Sequence, residues 1–307
     1  TPSRLRVNWK VKLWDENGLE GDWSEPAFFE LGLRNASDWS AKWITGNYNI
    51  NRKQCYPVDC FKKEFECKKP ILSARLYMTA CGLYSAGING VDFSMPLAPG
   101  ITEYRKRIQY QTYDVTVLLH EGSNVLCAEL ADGWYRGSVG AWGLKNQYGT
   151  ETKLLVQLEI KYTDGTAQTV VSDGSWLWSS DGAIRFADNK DGERVNANNI
   201  PSYNNHAKET VCKVLPSASN NFPIAEKERF KPTLSVTPSG KKLLDFGQNM
   251  AGYVEVEINA REGQKIILEF GELLRGGELT LENIQCKNKH KTTPLQRVEY
   301  ICKEGVN

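Results

Sequence analysis

Apolar and polar positions alternate with period two along most of the chain. Leu5, Val7, Trp9, Val11 and Leu13 interleave with Arg6, Asn8, Lys10 and Lys12, which predicts a strand with one apolar and one charged face. Asp15-Glu16-Asn17-Gly18 closes it with a turn. Trp39 to Ile44 alternates again, and a polar stretch rich in Asn and Lys runs on to about Cys60. From Phe61 strands and turns follow at short intervals. Leu76, Met78 and Ala80 share a face, Ile88-Asn89-Gly90-Val91 is a compact turn, and Pro99-Gly100 is another. Ile108, Tyr110 and Thr112 suit a strand with one buried face, Val115 to Leu119 stops at His120-Glu121-Gly122-Ser123-Asn124, and Val125 to Leu130 is the next strand. The plainest hairpin sets Leu154, Val156, Leu158, Ile160 and Tyr162 on one face, turns at Thr163-Asp164-Gly165-Thr166, and returns through Thr169-Val170-Val171. Its other face, Gln157, Glu159 and Lys161, predicts a sheet that is wet on one side.

The segment around Asp191-Gly192-Glu193-Arg194-Val195-Asn196-Ala197-Asn198 reads as the end of this module. Between Tyr203 and Gly240 the chain is polar and proline-spaced, which predicts a connector lying over the surface. Order returns with Val254, Val256 and Ile258, then Arg261-Glu262-Gly263-Gln264, then Ile266, Leu268 and Phe270, read as one more hairpin, and with a last strand from Val298 to Cys302. No amphipathic helix of three turns is present in the pattern. The fold class is therefore all-β: tandem β-sandwich modules with a central jelly roll from about Asp59 to Asn199. An alternative connectivity pairs Trp39–Ile44 with the later sandwich and makes the jelly roll an insertion.

Composition narrows the partners. Lys plus Arg number 38 against 37 acids, a net charge of +1, which gives no electrostatic reason to expect nucleic acid or an anionic membrane surface. Arg105-Lys106-Arg107 is read as a solvated edge. No run approaches the roughly 18 apolar residues of a membrane span. Thr1-Pro2-Ser3-Arg4 has no signal-peptide anatomy, and a chain opening on Thr inside a strand pattern reads as a piece of a longer parent. The eight cysteines show no CxxC spacing and the three histidines lie apart from them, so no metal site is assigned. Cysteines in strand-core positions, such as Cys127 between Leu126 and Ala128, are expected as free thiols of a reducing, cytoplasmic compartment. Asn35-Ala36-Ser37 matches a glycosylation triplet too common to carry weight. Sheet edges left unpaired point to homodimerisation.

The candidate chemistry gathers between Leu97 and Gly149. Asp132-Gly133-Trp134-Tyr135-Arg136-Gly137 is a glycine-bounded loop carrying aromatics beside an acid and a guanidinium. Sugar faces are apolar and their rims hydroxylated, so such a loop suits a carbohydrate. Trp134, Tyr135 and Trp142 are the candidate platforms and Asp132, Arg136 and Asn146 the candidate rim ligands. Gly137 to Gly143 brackets Trp142 in a bendable loop. Asp132 has a competing structural role, bonding the backbone of its own loop.

The run from Leu97 through Gln109-Tyr110-Gln111-Thr112-Tyr113-Asp114-Val115 to Asp132-Gly133-Trp134-Tyr135-Arg136-Gly137 resembles the N-terminal jelly-roll region of bacterial α-L-rhamnosidases. Asp245-Phe246-Gly247-Gln248-Asn249-Met250-Ala251-Gly252 looks like the start of that family's next, concanavalin-like sandwich, and Trp14 to Pro26 is similar to the end of its opening fibronectin-like module. The resemblance implies a partial fibronectin-III-like module over 1–45, a galactose-binding-like jelly roll over 46–210, a connector over 211–240 and the first part of a second sandwich over 241–307. It also implies that the inverting acid and base of the parent lie in an (α/α)6 barrel beyond these modules, so no catalytic residue is assigned and the chain alone is expected to be inactive. In some relatives the jelly roll binds rhamnose with calcium through an acidic-amide pair after the Pro-Gly turn. Glu103 and Tyr104 occupy that place here, and Asn196 and Asn198 stand where relatives carry Asp and Arg. The implied partners are rhamnosylated glycans and the catalytic barrel; the alternative is a purely structural or interaction module.

Overall fold

The computed structural model describes residues 1–307. Its longest pairing is antiparallel, Ile71–Cys81 against Lys153–Tyr162, with Leu76 opposite Leu158 and Met78 opposite Val156. Period two puts Ala74, Leu76, Met78 and Ala80 beside Leu154, Val156, Leu158 and Ile160 on one face, each 1 % exposed or less. This first sheet runs in the order Lys208–Thr210, Trp43–Thr45, Lys153–Tyr162, Ile71–Cys81, Gln109–Asp114, Ser217–Ala218, and Ala167–Val171 also pairs with Lys153–Tyr162. The facing sheet runs Asn205–His206, Leu177–Ser179, Asp59–Cys67, Gly122–Ala131, Leu83–Ile88, Val91–Asp92. Phe61, Tyr84, Ile88, Leu126 and Leu130 point from it into a shared core of 26 buried residues that includes Trp176 and Trp178. Burying each large apolar side chain contributes about 1.5–3 kcal/mol, so this sandwich is the stable centre of the chain. The Asn89-Gly90 turn closes its last hairpin with both residues at positive φ, +52° and +81°, as a tight two-residue turn between right-twisted strands requires.

The face expected to be wet is covered at Gln157 and partly at Glu159, while Lys161 stays exposed. Gln157 is 1 % exposed. Its carbonyl oxygen accepts from the backbone N–H of Ser40 at 2.8 Å and of Ala41 at 3.3 Å, and its amide donates to the Asp38 carbonyl at 2.8 Å. Glu159 takes the Arg4 guanidinium in a two-pronged pair, and Arg75 does the same for Glu30 at 2.7 and 3.0 Å. Tyr110 donates to the Leu33 carbonyl at 3.0 Å, over a small cluster of Leu33, Tyr77 and Tyr110 against Trp39. Arg4, Glu30 and the segment from Leu33 to Ala41 thus lie on the polar face and satisfy part of it. Alternation marks a face as polar without saying what covers it.

The opening strand is shorter than its alternation predicts. Arg6–Trp9 pairs with Ala27–Glu30, but Val11 turns its backbone N–H to the Ser24 hydroxyl at 2.9 Å, and Leu13 is left 72 % exposed. Trp43–Thr45 pairs with Lys153–Tyr162 and Lys208–Thr210, so it belongs to the jelly roll and not to the later strands. The connector is not free of structure: 205–206, 208–210 and 217–218 each extend a sheet edge, pairings too short to leave a periodic signal.

A third sheet joins regions far apart in sequence. Ile184–Asp188 and Gly192–Asn196 form a hairpin, and Gly192–Asn196 runs parallel to Arg297–Ile301, which pairs with Lys265–Glu269. The segment read as closing the jelly roll therefore sits in one sheet with the C-terminal strands. Val254 to Ile258 makes no ladder with Ile266–Phe270; the neighbouring Asn259–Ala260 pairs instead with Gly305–Val306. Arg297–Ile301 has taken the 265–269 edge, a long-range pairing that local alternation does not reveal. The only α-helix is the single turn Gly133–Arg136, and no helix is long and apolar enough to cross a membrane.

Replacing Gln157 by Leu leaves the part-buried Ser40 and Ala41 N–H groups without their acceptor and removes one of the two donors to the Asp38 carbonyl, the other being Arg4. We expect a loss of roughly 1–3 kcal/mol in urea denaturation, against less than about 0.5 kcal/mol for Lys161→Leu on the same strand; equal effects would mean that the amide does not anchor the N-terminal segment.

Candidate functional site

The Asp132–Gly137 loop leaves the end of Gly122–Ala131 and makes one helical turn. Two glycines make the turn possible. Gly133 has φ +50° with Leu83 packed where a Cβ would go, and a Cβ on Gly137 would collide with the Gly133 carbonyl oxygen. The turn aims Arg136 inward, where it is 4 % exposed. Its Nε donates to Asp132 at 2.7 Å and one terminal nitrogen donates to the Tyr48 hydroxyl at 2.6 Å. The guanidinium lies 4.6 Å from the Tyr56 ring centre, and Tyr56 stacks on Tyr48 at 4.6 Å.

Behind Tyr48 is a carboxylate with no exposure, Asp59. It accepts from Trp178 Nε1 at 2.9 Å, Thr152 Oγ1 at 3.1 Å and the Tyr48 hydroxyl at 3.2 Å. Burial pushes Asp59 up to about 6, against the pull of Arg136. Burial raises Asp132 as well, again opposed by Arg136. No motif in the sequence singles out Asp59, Tyr48, Tyr56, Thr152 or Trp178; the one local signal is an acid between Val58 and Cys60 at the start of an apolar strand.

The eight sequence candidates fall into three groups. Asp132 and Arg136 form the inward ion pair. Tyr104, Trp134 and Tyr135 belong to an aromatic cluster on the outer face of the first sheet. There Tyr104 is 4 % exposed, meets Tyr135 edge-on at 5.3 Å and Tyr148 at 5.1 Å, and donates its hydroxyl to the Gly100 carbonyl at 2.8 Å. Glu103, Trp142 and Asn146 remain nearer solvent, Trp142 at 38 % exposure. Asn146 has φ +59° and donates its backbone N–H to the Arg136 carbonyl at 2.9 Å. The loop carrying Trp142 is tied down from outside. Ser138 donates its N–H to Asp188 at 2.8 Å and its hydroxyl to Asp191 at 2.9 Å, Lys145 pairs with Asp191 at 3.1 Å, and Lys291 donates to the Trp142 carbonyl at 2.7 Å.

Glu103 and Tyr104 do not make a calcium site. Calcium takes several hard oxygens at once. The Glu103 carboxylate faces the Arg105 guanidinium at 3.5 Å, and Tyr104 turns its hydroxyl into the protein. Arg105 continues to the Gln147 carbonyl at 2.6 Å and lies 5.1 Å from the Tyr148 ring.

Comparison with known proteins places this geometry. The family described as alpha-L-rhamnosidase N-terminal domain matches residues 69–231, a stretch longer than half the chain. The chain belongs to the α-L-rhamnosidase N-terminal domain family. On either side, a Rha78A-like N-terminal immunoglobulin domain matches residues 1–35, and the bacterial alpha-L-rhamnosidase concanavalin-like domain matches 235–306. An alpha-L-rhamnosidase of Alteromonas sp. (strain LOR) is 34% identical over 94% of this chain and 33% of that protein. The crystal structure of native α-L-rhamnosidase from Aspergillus terreus superimposes with a TM-score of 0.90 at 28% identity, covering 100% of this chain and 36% of that one. The α-L-rhamnosidase of Dictyoglumus thermophilum gives 0.84 at 28% identity, covering 100% and 36%. The chain thus spans about a third of the length of the curated rhamnosidases it matches.

A carboxyl titrating above its ordinary value favours the folded state at low pH, and that contribution is lost as pH rises through the folded value. For Asp59 the window is about 4 to about 6 and the size on the order of 2–3 kcal/mol. Asp59→Asn keeps an acceptor for Trp178 and should flatten the stability profile across that window, leaving a residual slope from Asp132, Glu129 and Glu193, which burial also raises. An unchanged slope would remove Asp59 from the account.

Proposed function

We propose that this chain is the non-catalytic β-rich part of an α-L-rhamnosidase, a parent that releases terminal α-L-rhamnose by inversion. In this reading it supports a helical catalytic barrel and holds rhamnosylated glycans at the jelly-roll loops. What carries the reading is the consecutive match of three rhamnosidase modules to residues 1–35, 69–231 and 235–306. The division into an opening module, a jelly roll, a connector and a second sandwich is part of the same proposal.

The geometry bears on where a sugar would sit. A saccharide needs an apolar platform with hydrogen-bonding groups at its margin. Trp142, on a loop whose backbone is held by Asp188, Asp191 and Lys291, is the candidate platform, with Asn146 and Glu103 as the polar groups nearer solvent. Fixing a loop before binding lowers the ordering cost. Asp132, Tyr104 and Arg136 bond within the protein and in this reading position the loop instead of touching sugar. The same internal bonding supports a second reading, in which the loops meet only protein.

Calorimetric titration with L-rhamnose separates the two. Recognition predicts saturable heat at up to roughly tens of millimolar sugar, abolished in Trp142→Ala with the melting temperature unchanged. No heat in the wild-type chain would favour scaffolding. Incubation with a chromogenic rhamnoside should give no turnover above background, and cleavage would contradict placing the acid and base outside these residues.

A further inference from the structure

The connector carries a chemistry that neither the sheets nor sugar recognition uses. It leaves the first sheet at one edge, where Lys208–Thr210 pairs with Trp43–Thr45, and rejoins it at the other, where Ser217–Ala218 runs parallel to Gln109–Asp114. Between those edges lie Lys153–Tyr162 and Ile71–Cys81, so the intervening residues must cross the outer face. On the way Cys212 and Val214 pack against Trp43, Cys81, Tyr104, Ile108 and Leu155. Cys81 is fully buried and Cys212 partly exposed, and both are free thiols.

Cys212 packs on the outer-face cluster that contains Cys81, which brings the two thiols onto one patch beneath the connector. Lys153 stands opposite Cys81 in the ladder and donates from its ammonium to the Val211 carbonyl at 2.6 Å, which places its charge beside Cys212. The neighbouring Cys81 thiol, with the Val214 N–H and Lys153, draws Cys212 down to about 6, while the Cys212 sulfur and burial push Cys81 up. The thiolate is the attacking species in exchange, so the more accessible cysteine is also the activated one.

We propose that Cys81 and Cys212 form a modification site, a dithiol that closes to a disulfide by exchange with a small disulfide of the oxidised-glutathione class and fastens the connector across the centre of the sheet. The Cys212 thiolate attacks one sulfur of the small disulfide, whose S–S bond breaks and releases one thiolate that takes a proton from water. Cys81 then gives its proton to water and attacks the Cys212 sulfur of the mixed disulfide, expelling the second small thiol. The protein dithiol is oxidised by two electrons and the small disulfide is reduced to two thiols. Cys81, with no exposure, acts only in the second step.

The test is incubation of the full chain with oxidised glutathione near neutral pH, acid quenching, alkylation and non-reducing peptide mapping. Exposed Cys55 reports that the reagent is active. The proposal predicts a peptide linking Cys81 to Cys212 in the wild type. In Cys81→Ala it predicts glutathione retained on Cys212, and in Cys212→Ala neither linkage nor glutathione at Cys81. A wild-type chain whose Cys212 stays free, or stops as the mixed disulfide, while Cys55 is modified would overturn it.

Discussion

Arg136 is enclosed between Asp132 and the paired rings of Tyr48 and Tyr56, with Asp59 behind Tyr48. A buried charge costs several kcal/mol unless it is paired and hydrogen-bonded, so this cluster constrains everything that supplies a partner. Tyr48 and Tyr56 come from the polar stretch before the first long strand, Asp132 and Arg136 from the end of Gly122–Ala131, Thr152 from the entry to Lys153–Tyr162, and Trp178 from Leu177–Ser179. Removing Arg136 alone would strand Asp132, whereas removing Asp59 alone would leave the Trp178, Thr152 and Tyr48 donors without their acceptor. Four separate parts of the jelly roll are therefore held at one end by groups that cannot be changed independently. The Trp142 loop grows from this base, which is how a glycine-rich segment comes to have a fixed position.

The strands most legible in the sequence are those whose partners lie close by along the chain. Leu154–Val171 shows its turn, its alternation and its length in one window, and the ladder from Gln157 to Lys161 follows that pattern. The pairing of Gly192–Asn196 with Arg297–Ile301 had no such signal, because a parallel partner about a hundred residues away leaves no local trace. The polar face of Gln157 and Glu159 was legible as polar and illegible as buried. What covers it is a strap of ion pairs and carbonyls from residues 4–41, and side chains that satisfy buried polar atoms look in sequence like those that face water.

The candidate site divides along the same physical line. Residue types told correctly that the Asp132–Gly137 loop bends tightly and carries an acid beside a guanidinium, since Gly133 and Gly137 are required by close approach. They did not tell which way the guanidinium points. That direction is set by Tyr48, Tyr56 and Asp59, more than seventy residues upstream, and a loop motif read alone assigns inward and outward side chains alike to the ligand.

The third sheet bears on how these modules behave as units. Ile184–Asn196 lies within the stretch matched by the rhamnosidase N-terminal domain, yet its ladder partners lie within the concanavalin-like stretch. Asp188 and Asp191, at the tip of that same hairpin, hold Ser138 and Lys145 in the Trp142 loop. The loop is thus braced on one side by the jelly roll's buried ion pair and on the other by a hairpin whose edge belongs to the next module. A boundary drawn by sequence between the two domains would sever backbone hydrogen bonds along Gly192–Asn196 and loosen the brace, even though every residue of the loop itself stayed in place.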